Sequence, residues 1–224
     1  ADVHGAYYVG GLVGSVYSNN IITASHSTGS VGGGTLVGGL VGNVYSYNQF
    51  TASYTTGSVS GGSYVGGLLG KIDSNNQVTA SFSVSQVLGS SYEVGGLVGS
   101  IGSNNQIMAT YSTGSVQGPT SLGGLVGYNS HDNQITASFS TGFVSGDGNV
   151  GGFLGSSNSA SDPIIENSYW GVDSSGQLTS SLSSESQHPE NSGYVGLTLA
   201  SLQCATQANT DAYNSSCVSS DGSV

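Results

Sequence analysis

Basic residues are almost absent from this chain. Lys71 is the only lysine or arginine in 224 residues, against twelve acids and a formal net charge of −11. Nucleic-acid binding needs lysine and arginine to neutralise phosphates, so that class is excluded, as is electrostatic attachment to anionic membranes. Charge of either sign is scarce, at 6% of residues, which belongs to membrane proteins or to very regular folds. No apolar run approaches the roughly 20 residues of a membrane helix, so no membrane insertion is expected and the second reading applies. Cysteine is limited to Cys204 and Cys217. Neither lies in a CxxC or near a histidine cluster, so no zinc or other metal site is expected. Their spacing suits a loop-closing disulfide in an oxidising compartment, with two unpaired thiols as the plainer alternative.

Glycine is plentiful, with 38 residues, too many for helices and without a three-residue collagen rule. Many of them fall in one recurring stretch. V9-G10-G11-L12-V13-G14 returns with its glycine pairs at Gly38, Gly66, Gly95, Gly123 and Gly151, at spacings of 28, 28, 29, 28 and 28 residues. A period held that tightly marks a repeat architecture in which each unit buries its apolar face against its neighbours. Residues 1–8 align with residues 29–36, so the chain begins inside an earlier coil, which predicts a piece or mature product of a longer repetitive protein.

Half-way through each unit lies a second signature: ITASHSTGSV from Ile22, FTASYTTGSV from Phe50, VTASFSVSQV from Val78, IMATYSTGSV from Ile107 and ITASFSTGFV from Ile135. These runs alternate apolar or small residues with hydroxylated ones and predict strands with one face in and one out. The VGGLVG half reads as another strand. Asparagine-rich turns join them, and Asn20, Asn48, Asn76, Asn105 and Asn133 keep the period, predicting a coil-to-coil ladder. A 28-residue coil holds two or three short strands plus corners, and successive coils pair in parallel about 4.8 Å apart.

The predicted fold is therefore all-β: a parallel β-solenoid, right-handed by the crossover preference, of about six coils over residues 1–172. Leu12, Val16, Ile22 and Ala24 with their counterparts are expected inside. Strand parity then favours burial for the aromatic column His26, Tyr54, Phe82, Tyr111, Phe139 and Tyr169, with an exposed sugar-binding strip as the alternative. The opposite parity turns Thr23, Ser25, Thr51, Ser53, Thr79, Ser81, Thr110, Thr136 and Ser138 outward as a flat hydroxyl face. Residues 173–224 read as a loop-rich C-terminal cap pinned by Cys204 and Cys217, with Thr198 capping a short helix.

For catalysis the chain offers no histidine or serine constellation and no G-x-S-x-G elbow. Its acids are scattered through the period; Asp162, Glu166 and Asp173 are the sole local cluster, read as solvated loop acids in preference to a calcium site. No G-x-G-x-x-G opens a helix and no P-loop lysine follows, so no cofactor is expected. Any function is then expected on a face rather than in a pocket. The expectation is a non-enzymatic binding module for a periodic ligand, with a glycan first, ice second and self-association into fibres third.

The G-G-L-V-G core followed by I-T-A-S-x-S-T-G-S-V resembles the GLUG motif of bacterial secreted and surface proteins, over residues 1–177. S168-Y169-W170-G171-V172-D173-S174-S175-G176-Q177 resembles the ending common after such arrays, with Gly171 where an acid is usual. The resemblance implies a secreted or cell-surface, adhesin-like setting and transfers no catalytic residue.

Overall fold

The computed structural model describes residues 2–158, 163–177 and 194–198. Parallel strands stack coil upon coil into a β-solenoid of about six turns. Four sheets run along it. Sheet A holds Val3–Gly10 and Ser30–Gly38, the latter spanning two ranks of shorter strands. Sheet B gathers the VGGLVG halves, from Val13–Val16 through Val41–Val44 and Leu69–Ile72 to Leu154–Ser157. Sheet C is built of triplets such as Gln49–Thr51 and Gln77–Thr79, and sheet D of pairs such as Tyr54–Thr55 and Phe82–Ser83. Register follows the sequence period: Val41 pairs Leu69, which pairs Val98.

The interior is two apolar columns. One stacks Val31, Val59, Val87, Val116 and Val144 with Val37, Val65, Val94 and Leu122 against sheet A. The other joins the leucines of the glycine motif to sheets B and C. Leu40, Leu68, Leu97 and Leu125 are fully buried, while Leu12 in the first coil is 50% exposed. Between the columns runs a polar seam, where Thr55 and Ser140 hydroxyls donate to the carbonyls of Gly67 and Gly152 at 2.6 Å. The second glycine of each pair exists for this seam: a Cβ on Gly67 would overlap the Gly96 carbonyl and the Ser83 hydroxyl.

The asparagine ladder forms as expected. The Oδ1 of Asn76 accepts from the backbone N–H of Asn48 at 2.8 Å and from its Nδ2 at 3.2 Å. Asn105 serves Asn76 in the same way, and Asn133 serves Asn105. Asn48, Asn76, Asn105 and Asn133 are buried. Each of these polar groups is satisfied by its neighbour coil, which is the condition for burying it.

The expected burial of the alanine column fails. Ala24, Ala52, Ala80, Ala109 and Ala137 lie on the surface with φ between 48° and 54°. That left-handed kink turns the strand through a corner between sheets C and D and reverses the in–out alternation beyond it. The tail begins with a short helical turn, Val172–Ser175. Tyr194–Leu197 then pairs in parallel with Ser168–Gly171 as a further strand of sheet D. Cys204, Cys217 and the helix expected after Thr198 lie outside the described residues.

Candidate functional site

The alanine corner divides the expected hydroxyl face in two. Thr51, Thr79 and Thr136 are partly exposed on the outer side of sheet C, with Thr23 exposed and Met108 at the fourth rung. Beside them run Gln49, Gln77, Gln106 and Gln134, all exposed and paired in register. Beyond the corner, Ser53, Ser81, Thr110 and Ser138 are buried, and Ser25 is partly so. Their assignment to an open face is corrected by this burial. They form an internal rank instead: the Ser81 hydroxyl accepts from the Ser53 backbone N–H at 3.1 Å and donates to the Thr79 carbonyl at 2.9 Å. Thr110 and Ser138 are joined the same way, with a hydroxyl contact of 3.0 Å.

The same reversal brings the aromatic column out. His26, Tyr54, Phe82, Tyr111 and Phe139 stack with centroids 4.6–5.1 Å apart and planes within 6°. Tyr54, Phe82, Tyr111 and Phe139 are half-buried rather than enclosed. Because each ring face is covered by the next ring, the stack presents edges outward. It stabilises the coils but gives a sugar no ring face to lie on.

A third feature lies over the outer side of sheet B, in a groove of about 520 Å³. Lys71, Asp73, Glu93, Tyr64, Ser100 and Tyr128 are among its lining residues. Lys71 Nζ pairs with Asp73 at 3.0 Å. Glu93 projects from a left-handed corner at φ 60° and takes a hydrogen bond from Ser100. Its Oε2 is buried and has no hydrogen-bond partner among the described residues. Burial pushes the Glu93 carboxyl above the ordinary glutamate range, against the weaker opposing pull of Ser100 and Lys71. The Tyr64 ring meets Tyr92 edge-to-face at 5.3 Å. Its hydrogen bond with Tyr92, then burial and the nearby Glu93, push the Tyr64 hydroxyl up to about 12.

The acids are thus less scattered than the sequence suggests: Asp73 and Glu93, twenty residues apart, face one groove with the sole lysine. The available signal was the one irregular spacing of the glycine pairs. Val65 pairs Val94 and Gly61 pairs Gly89, so residues 90–93 occupy the place of 62–64. The added residue falls just before Tyr92 and Glu93. Of the remaining acid cluster, Glu166 and Asp173 are exposed, and Asp162 lies outside the described residues.

Comparison with protein-family models, with curated proteins and with solved structures finds no match to this chain. Among the described residues no helix is long and apolar enough to cross a membrane.

Proposed function

We propose that this chain is a non-catalytic, secreted or cell-surface module of adhesin type that holds a neutral polysaccharide along the outer face of sheet C. The observation that carries the reading is the pair of uncharged ranks, Gln49–Gln77–Gln106–Gln134 beside Thr51–Thr79–Met108–Thr136, in register on parallel strands. Carboxamides and hydroxyls both donate and accept hydrogen bonds, as sugar hydroxyls do, and the coil period of about 4.8 Å presents them at regular intervals to a repeating ligand. The likeness of the repeat to the GLUG motif agrees with an adhesin-like setting.

The test is an array of neutral glycans probed with the parent and with a Thr51→Tyr, Thr79→Tyr double variant. Binding by the parent and its loss in the folded variant support the reading. The threonine rank also favours ice as a second ligand, ordered against methyl and hydroxyl groups on a flat face. Thermal hysteresis without glycan binding would replace the polysaccharide by ice. Concentration-dependent light scattering that the double variant abolishes would replace it by another copy of the rod.

A further inference from the structure

We propose that the groove over sheet B is a separate binding site for an amine-bearing saccharide, whose ammonium group is seated against Glu93 and whose hydroxyls meet the surrounding tyrosine and serine hydroxyls. Departures from the repeat meet here and are otherwise unexplained. Glu93 stands in the column of Tyr8, Leu36, Tyr64, Ser121 and Asn149, the left-handed residue before each glycine motif. Lys71 stands in register with Asn43 and Ser100. Asp73 follows it where the neighbouring coils carry Tyr45 and Gly102. The one residue added between successive glycine motifs precedes Glu93. Nothing in the stacking of coils requires these charges, because the other coils stack without them.

The groove asks for a donor. Glu93 lines it with Ser100 as a hydrogen-bond donor, while its Oε2 lies closed off without a partner among the described residues, and an ionised carboxylate so placed is costly until a cation approaches it. Lys71 is already engaged by Asp73 at 3.0 Å, so the three charges sum to one negative, which one ammonium group neutralises. The net charge of −11 draws cations toward the rod. The edge-to-face tyrosines supply π-electron density for a cation or for the C–H face of a sugar. Tyr64, held protonated up to about 12, remains a neutral hydroxyl throughout the physiological range. A volume of about 520 Å³ lies within the range of small-molecule sites.

Titration calorimetry on the full chain tests this, with a trimer of glucosamine and its fully N-acetylated counterpart as probes. The amine trimer is expected to bind about tenfold or more tightly than the acetylated one, the loss corresponding to one charge-assisted hydrogen bond. Its affinity is expected to rise with pH as Glu93, faced by Lys71, Asp73, Ser100, Tyr64 and Tyr92, loses its proton, so long as the amine keeps its own. Glu93→Gln, which keeps the shape and removes the charge, is expected to lose about the same factor. Equal binding of the two trimers, no binding of either, or undiminished binding by Glu93→Gln overturns the proposal. If that variant does not fold, the trimer selectivity and pH profile of the parent decide alone. The Thr51→Tyr, Thr79→Tyr variant separates this site from sheet C. Unchanged affinity for the amine trimer supports the groove, and its loss places the ligand on the other face.

Discussion

Thr79 and Ser81 lie two residues apart and carry the same functional group, yet they belong to different parts of the molecule. The Thr79 hydroxyl rank is partly open to solvent on sheet C, whereas Ser81 is fully buried and closes a hydrogen-bonded rank between coils. Ala80 between them, at φ 48°, makes the difference. A hydroxyl in this solenoid is a contact for a ligand or a rung of the scaffold according to which side of a single left-handed residue it falls.

The sharpest way to break that contrast is to place the same bulky residue on either side of Ala80. Ser81→Tyr must force a ring into a closed rank while stranding the Ser53 N–H, and is expected to cost at least about 3 kcal/mol. A fall in the urea midpoint, or loss of the β signal in circular dichroism, checks it. The corner itself is next. Ala80→Val puts a β-branched residue at positive φ and is expected to cost about 1 kcal/mol more than alanine does there, read from the same midpoint.

A smaller effect contrasts the repeat with its one charged departure. The Glu93 carboxyl is raised in the folded chain. Its neutral form is therefore favoured, and stability is lost as pH rises from the ordinary glutamate range through the raised value. Glu93→Gln should then be more stable than the parent at neutral pH, with the gap closing on acidification below the ordinary range; thermal melts at both pH values measure it. Least of all, Thr79→Tyr should shift stability by no more than about 0.5 kcal/mol, in contrast to Ser81→Tyr.

The period, the parallel pairing and the asparagine ladder were legible because each repeats identically, and a stacked coil can satisfy a buried carboxamide only with its own copy. The threonine half of the hydroxyl face was legible for the same reason. Its serine half and the aromatic column were misplaced because strict alternation was carried through Ala24, Ala52, Ala80, Ala109 and Ala137. Alanine gives no hint of a left-handed conformation. The next coil does: between Ile164–Glu166 and Ser168–Gly171, Asn167 occupies that column at φ 49°, and asparagine is among the few residues suited to it. The groove was hidden because Lys71, Asp73 and Glu93 are joined by stacking rather than by proximity in the chain. Its trace in the sequence was a spacing of 29 among four of 28.

The asparagine ladder also gives the rod an electrical direction. From Asn20 to Asn105, each residue in the rank donates its Nδ2 to the Oδ1 of the coil that follows. The carboxamide dipoles consequently point one way, with oxygen toward the N-terminal coil, and add as peptide dipoles do along a helix. At the far end Asn133 turns its Nδ2 to Asn129 Oδ1 and to the Gly102 carbonyl. The rank therefore has two unlike ends. It starts from an Asn20 oxygen turned toward the N-terminal side and stops at Asn133, whose amide nitrogen is taken up inside the solenoid.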